Sequence, residues 1–476
     1  MTERLVFNYG IPRHDGSARS HGEVAPRVAE SAAPLTALAA SGHTAKARVD
    51  WAFVGLMAFT TLLFVRPQDH FPVLRPLHLA DIAAFVGLAA MISGRLRRGL
   101  VVSRITPELL GVAAMGGAIL LTVPFSIWPG GSVATFTDLY AKVILIYLLM
   151  VNTLTTPKRV EQFTWLIVLA SGYIAVRAVF DYGRGVNLIE NGRVQGAVGG
   201  IFKNPNDLAL NMVAVLPLAV LLALHGRTTL RRLLSLGFLL LMIATVVVTN
   251  SRSGSVGLAV MAVLLGVFLV RRRPGLVFAC VLALALALPM APDSYWNRMS
   301  SITDASKDET GSREARRVLL RESFAAFVAH PLTGVGAGQF KNYAPEGRVE
   351  AWRETHNVVL QVAAELGIVG LLAFTFLLVR AALAGREVRR LVKRARKDSL
   401  LTRDEAVRFE AHAGAMAAAL AGWFACAVFA SVAYNWTFYY LLALATAPRE
   451  ILVDRLPVRR PARVGAAAAR VQESRA

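Results

Sequence analysis

Cysteine is nearly absent: the 476 residues contain two, Cys280 and Cys426, and each lies inside an apolar run. That argues against a disulfide framework or a thiolate metal site. Charge is scarce as well, at 17% of residues against 55% hydrophobic. With a mean hydropathy of +0.50, a chain of this length is too apolar for a soluble protein and reads as an integral membrane protein. Acidic residues are the rarer sign, 31 against 52 Lys and Arg, for a formal net charge of +21. In a soluble protein such an excess suggests nucleic acid. Here the cations cluster in short segments between apolar runs, the positive-inside pattern, and no nucleic-acid partner is expected. Paired carboxylates, a Ser-His-Asp arrangement and metal-ligand spacing are missing as compact motifs, so no cofactor and no metal are expected. Asp69-His70 with Asp81 imitates a metal site only loosely, because its spacing is not specific.

Runs of roughly 15 to 23 apolar residues predict an all-α polytopic membrane protein with about twelve transmembrane helices. The expected spans are 51–65, 77–93, 108–127, 139–151, 163–180, 205–224, 233–249, 254–270, 275–291, 357–379, 411–430 and 434–447. Alternating the connections puts Arg95, Arg97, Arg98, Arg104, Lys158, Arg159, Arg227, Arg231, Arg232 and Arg271 to Arg273 on one side. The basic loop 380–410 and both tails share that side, which is expected to be cytoplasmic in a bacterial inner membrane. Residues 1–50 lack an apolar core long enough for a signal peptide and are expected to be a disordered cytoplasmic tail, and 448–476 a second tail. Spans one to nine then fill 51–291, one large periplasmic loop with short helices fills 292–356, and 357–447 holds the last three spans. The opposite side also carries 128–138, free of Lys and Arg, and a loop near 181–204.

The loop 292–356 has equal acidic and basic counts, nine each, so its pattern matters more than its charge. Ser312 to His330 reads as an amphipathic helix that begins at a Ser cap and ends before Pro331. Arg313, Arg317 and Arg321 recur at fourfold spacing on one face, and Leu320, Phe324 and Phe327 make an apolar side. The glycine-rich turn 331–338 follows no strand and precedes no Lys-Ser/Thr, so it is not a nucleotide loop.

Four places carry residues suited to chemistry. His356 stands where the polar loop hands over to the tenth span; with an ordinary pKa of about 6.5 it is mostly neutral and able to take a proton, or is simply interfacial. Asn357, Gln361 and Glu365, spaced by four, form a polar stripe running roughly 12 Å into the membrane from that point. A carboxyl at such depth is either functional or a hydrogen-bonded structural group. Arg252, in the short turn between the seventh and eighth spans, lies on the side where basic anchors are disfavoured, and its guanidinium suits phosphate oxygens. The glycine-rich 191–207 loop carries Arg193, Lys203, Asn204 and Asn206 at a helix start opened by Pro205, which reads as an anion cradle or as a plain capped helix start.

At these residues the chain resembles the O-antigen ligase and O-antigen polymerase superfamily. The matching pieces are 200–206 opening a span, Ser251-Arg252-Ser253-Gly254 between spans, Arg313 followed by Pro331 and Gly334-Val335-Gly336, and Thr355-His356-Asn357 followed by Glu365-Leu366-Gly367. The resemblance covers about 190–447, and Arg66-Pro67-Gln68-Asp69 is similar to a segment of O-glycosylation ligases of the superfamily. It implies an inverting, metal-independent glycosyltransferase that takes a glycan from undecaprenyl pyrophosphate at the periplasmic face. His356 then matches the position that activates the acceptor hydroxyl, and Arg252 and Arg313 match arginines that hold the pyrophosphate. Arg193, Lys203, Asn204, Asn206, Arg317, Asn357, Gln361 and Glu365 are expected to bind substrate around them. The expected partners are the lipid-linked glycan donor, membrane lipids, and an acceptor that is lipid A core, protein or glycan. Ligase is the first reading; an O-antigen or exopolysaccharide polymerase and a protein O-oligosaccharyltransferase differ only in acceptor. A secondary transporter or a flippase of the same lipid is the rival from another class, against which stand the missing internal repeat and the few cations within spans.

Overall fold

The computed structural model describes residues 49–189, 192–287, 289, 291–302, 304, 312–349 and 352–456. The expected tails lie outside the described residues up to Arg48 and from Pro457 onward, but residues 448–455, expected to begin the second tail, continue the helix Trp436–Arg455. The helices are α1 Trp51–Val65, α2 Pro67–His70, α3 Leu79–Leu96, α4 Pro107–Thr122, α5 Pro129–Thr135, α6 Ala141–Thr153, α7 Pro157–Gly183 and α8 Pro205–His225. They continue with α9 Thr229–Val248, α10 Arg252–Val270, α11 Pro274–Ala287, α12 Asp293–Ser300, α13 Ser312–Ala329, α14 Val358–Lys397, α15 Arg403–Ala427 and α16 Trp436–Arg455. A two-residue hairpin, β1 Leu188–Ile189 against β2 Arg193–Val194, is the only sheet among the described residues.

Every one of the twelve expected apolar segments holds a helix. Among the described residues, eight helical stretches are long and apolar enough to cross a membrane. Of the other four, α1 and α11 have 15 and 14 residues, and α15 and α16 carry more polar composition, with α16 buried along most of its length. The fourth expected span is longer than its apolar run. Residues 128–138, expected to be an outer loop, are largely helical: α5 continues through a π-helical turn at Phe136–Tyr140 into α6.

The 380–410 segment, expected to be a basic loop, is helical too. α14 runs for 40 residues to Lys397, roughly 60 Å at about 1.5 Å per residue, twice the hydrocarbon thickness of about 30 Å. Ala381, Ala384, Val388, Val392 and Ala395 stay buried along it, so its charges occupy one side of a packed helix. α8 forms the centre of the bundle, buried on all sides from Leu208 to Ala219, as a helix apolar all round must be. Small residues let its neighbours close in: a Cβ on Gly257 of α10 would lie 2.1 Å from Cys426 Sγ of α15.

Extending α14 and α16 brings two further arginines into the bundle. Glu108 of α4, fully buried, accepts hydrogen bonds from Arg449 of α16 at 2.6 and 2.7 Å and from Arg380 of α14 at 2.8 Å. Glu387 takes both guanidinium groups on its other side, at 2.9 and 3.0 Å from Arg380 and 2.9 Å from Arg449. Two carboxylates and two guanidinium groups thus neutralise one another and fasten α4, α14 and α16. Removing one carboxylate leaves a buried cation short of a partner, which typically costs about 3 kcal/mol or more. We expect Glu108→Gln to lower the unfolding midpoint in detergent far more than Glu387→Gln, because the Glu387 side chain is 25% exposed; equal midpoints for wild type and Glu108→Gln would rule the cluster out as a fastening.

Candidate active site

The tight reversal between α9 and α10 is built on Asn250, held at φ 47°, a backbone region that Asn tolerates better than most residues. Ser251 caps α10, accepting from Gly254 N at 3.1 Å and donating to Asn206 Oδ1 at 2.9 Å. Arg193 closes this bracket, with Nη2 on Asn206 Oδ1 at 2.9 Å and Nε on Thr249 O at 3.1 Å. Arg193 and Asn206 therefore fix the turn from which Arg252 projects. Arg252 itself is buried and donates to Ser301 Oγ at 3.0 Å.

A second bracket holds the loop ahead of α8. Asp69 Oδ2 accepts from Arg66 Nε and from Gly199 N, both at 2.7 Å, and these partners hold its carboxyl below the usual range despite burial. Asp81, the other carboxyl of the loose metal pattern, sits at 3.3 Å from both Lys142 and His78. Asp69 and Asp81 thus serve separate contacts.

α13 is the helix expected at Ser312, ending at Ala329, but it packs by a different face. Leu319, Ser323 and Ala326 are buried, while Leu320, Phe324, Val328 and Leu332 are 37%, 58%, 60% and 68% exposed. Of the expected apolar side only Phe327 is half-buried. The arginine row shifts accordingly: Arg313, Arg316 and Arg317 point into one cavity, and Arg321 stays on the surface.

The glycine-rich turn locks into α14. Gly367 adopts φ 61°, ψ −156° and breaks that helix, so carbonyls near the break lose their helical partners. Val335 N donates to Ala364 O and Gly336 N to Glu365 O, both at 2.9 Å, and Ile368 N donates to Pro331 O at 2.8 Å. A Cβ on Gly334 would lie 2.3 Å from the Glu365 carbonyl carbon, and one on Gly367 2.5 Å from that of Leu332. Glu365 Oε2 accepts from Gly338 N at 2.9 Å and Gln361 Oε1 from Ala433 N at 3.0 Å. Both side chains are buried and serve internal bonds, the structural alternative for the polar stripe.

Arg348, which nothing in the sequence singled out, straps the rest of the loop. It pairs with Glu322 of α13 at 3.3 Å, lies over the Phe340 ring, and donates to the carbonyls of Phe340, Tyr343 and Arg353. Glu322 also accepts from Val349 N at 2.8 Å. The segment reaching His356 is therefore tied to the helix that carries the arginines.

His356 is held at φ 49°, with its N–H on Ser431 Oγ at 2.9 Å and neighbouring Thr355 Oγ1 at 3.0 Å from the same hydroxyl. Asn357 caps α14, its Oδ1 accepting from Val359 N and Leu360 N at 3.0 Å each. Arg252, Arg313, Arg316, Arg317, His356 and Asn357 line a cavity of about 270 Å³, with Ser253 and Ser301. One wall is apolar: Val256, Ile302, Leu320, Val428 and Phe429. No Asp or Glu is among its described lining residues. Arg193, Lys203, Asn204, Asn206, Gln361 and Glu365 are not part of that lining; Asn204 caps α8, accepting from Asn206 N at 2.8 Å, and Lys203 is exposed beside it.

Burial, then the positive fields of Arg316 and Arg353, push the His356 imidazole from 6.5 down to about 4. The folded protein keeps this ring neutral at pH values where the unfolded chain already binds a proton. Its contribution to stability is complete above about pH 6.5 and declines as the pH falls towards 4. We expect His356→Gln to flatten the stability curve in that window, measured by unfolding in detergent; an unchanged acid slope would assign the loss to other groups.

Residues 237–375 match the family model described as O-Antigen ligase. The comparison with curated proteins finds no match. The matched stretch contains Arg252, the α13 arginines, the glycine interlock and His356. Over residues 237–375 the chain is thus similar to O-antigen ligases, and the likeness falls on the stretch that holds the cavity's arginines and His356.

Proposed function

We propose that the protein transfers a glycan from undecaprenyl pyrophosphate to an acceptor hydroxyl at the periplasmic face of the bacterial inner membrane, as a ligase, with inversion and without a metal. The observation that carries this reading is the convergence of Arg252, Arg313, Arg316 and Arg317 with His356 on one cavity that has an apolar wall. The outer placement is supported by the basic connections at the other end of the bundle, which also favour a cytoplasmic side for both termini.

The arginines take the pyrophosphate, for which guanidinium groups offer forked, charge-assisted hydrogen bonds. The first isoprene units lie along Val256, Ile302, Leu320, Val428 and Phe429. The acceptor hydroxyl attacks the anomeric carbon from the face opposite the phosphate. As the new C–O bond forms, the bond from the anomeric carbon to the phosphate oxygen breaks, and His356 takes the hydroxyl proton. Undecaprenyl pyrophosphate leaves with the electron pair, and the arginine charge stabilises it where negative charge develops, the task that a metal or a general acid performs elsewhere. Neutral His356 is the form the base requires. A bound pyrophosphate offsets the fields of Arg316 and Arg353, so the imidazole becomes more basic once the donor is in place. Lipid A core, a protein Ser/Thr and a glycan end are the acceptor classes, ligation to core being the first choice.

We expect His356→Ala to abolish transfer in proteoliposomes holding undecaprenyl-pyrophosphate glycan and acceptor, with folding and insertion intact; full activity in that variant sinks the base assignment. Wild-type activity in the same assay should survive EDTA. Arg252→Ala and Arg313→Ala should each weaken donor binding by about 2 kcal/mol if charge-assisted contacts are lost, and unchanged donor affinity would make them structural.

A further inference from the structure

A second cavity lies at the opposite end of the bundle. α15 runs between the two: Val428 and Phe429, just past its end, line the arginine–histidine cavity, and Glu405, Arg408, Phe409 and His412 of its first turns line the other. Its 25 residues separate them by roughly 37 Å at about 1.5 Å per residue. This second cavity, about 220 Å³, sits among the start of α7, the end of α8, the start of α15 and the later half of α16. Its walls are hydrocarbon: Val160, Leu221, Leu222, Phe409, Pro448 and Ile451. A smaller cavity of about 120 Å³ lies on the other side of the same α8 segment and shares Leu221 and His225 with it, with Val407, Phe268 and Arg273 along its border.

The rims of both are basic. Lys158, Arg227 and Arg408 border the larger cavity, and Arg272 and Arg273 the smaller. The positive fields of Arg273, Arg408 and Arg272 converge on the single ring of His225. The carboxylates that line the larger cavity are already paired: Glu161 lies 3.4 Å from the rim's Arg227 and 4.0 Å from Arg231, and Glu405 lies 3.0 Å from Arg455; Arg272 of the smaller rim pairs with Glu410. Among the described residues, Lys158, Arg273 and Arg408 have no carboxylate within ion-pair distance.

We propose that this end of the protein holds an anionic phospholipid, with its phosphate at Lys158 and Arg408 and its hydrocarbon against Leu221, Leu222, Phe409 and Ile451. Two apolar clefts flanking one helix end match a two-chain lipid, and the basic rim lies where helix ends meet the membrane surface, where Lys and Arg attract anionic headgroups. A free phosphate would use the cations and leave the apolar walls unmatched. The site is independent of the glycan-transfer reading.

The test uses the full chain in detergent, with phosphatidylglycerol and phosphatidylcholine of equal chain length titrated in and the bound lipid counted by native mass spectrometry. Phosphatidylglycerol should be retained in preference. Removing each cation in Lys158→Ala and Arg408→Ala should weaken its retention roughly fivefold, while Arg408→Lys keeps it. Leu221→Trp, which fills both clefts, should expel it with the basic rim intact. Each variant is first checked for an unchanged elution profile, and Arg408→Lys serves as the folded comparison. Equal retention of the two lipids, or phosphatidylglycerol retention untouched by the alanine and tryptophan changes, overturns the proposal. So does displacement of bound phosphatidylglycerol by inorganic phosphate at millimolar concentration, which would identify a site for free anions.

Discussion

The break in α14 at Gly367 is the constraint on which the half of the molecule that holds the arginine–histidine cavity depends. A helix interrupted near the membrane must regain partners for its freed carbonyls inside the protein. Here the partners are backbone N–H groups of the turn that follows α13. One exchange of hydrogen bonds thereby fixes α13 over the bundle, and Leu319, Ala326, Val335, Phe340 and Ala364 close into a small core around it. Only glycine permits this approach, because positions 334 and 367 combine positive φ with backbone contacts that a side chain would occupy. The same helix begins nearly three turns earlier at Asn357, so the interlock sets the distance between the arginines of α13 and His356.

That arrangement separates two uses of arginine. Arg380 and Arg449 are matched by Glu108 and Glu387, and the result is a fastening between helices. Around His356, burial first and then the positive fields of Arg316 and Arg353 drive the imidazole down to about 4. A fold keeps such a field only if the backbone holding its members is rigid by other means. The caps at Ser251 and Asn357, the Glu322–Arg348 pair and the glycine interlock supply that rigidity, none of them through a charge inside the cavity.

How much of this was legible in the sequence depended on what kind of signal each residue carried. Long apolar runs predicted every main helix. Arg252 and His356 stood out because a fixed charge or imidazole at a span boundary has few neighbours to explain it. Facing was harder. In a soluble helix an apolar stripe marks the packed side; in a membrane protein lipid accepts the same residues, so Leu320 and Phe324 gave the period of α13 and not its buried face. The inward face used Ser323 and Ala326, which no hydrophobicity pattern picks out, and Arg316 went unseen because fourfold spacing favoured Arg321. Gln361 and Glu365 were correctly placed on one face, yet that face meets the protein's own backbone. Residues 380–397 looked like a loop because charge outweighed the Ala and Val spaced along one side.

The glycine motifs show why spacing alone reaches only part of a site. Gly334-Val335-Gly336 and Glu365-Leu366-Gly367 are each too short to specify anything, and about thirty residues separate them. Their meaning is joint: one supplies N–H groups and the other the carbonyls of a helix that stops. For the proposed transfer this pairing matters more than any single contact to substrate. Binding a pyrophosphate among several arginines requires the guanidinium groups to be gathered beforehand, against their mutual repulsion, and the folding energy of the interlock and its small core supplies that gathering. The anion then meets a preorganised site and loses little of its binding energy to ordering the protein.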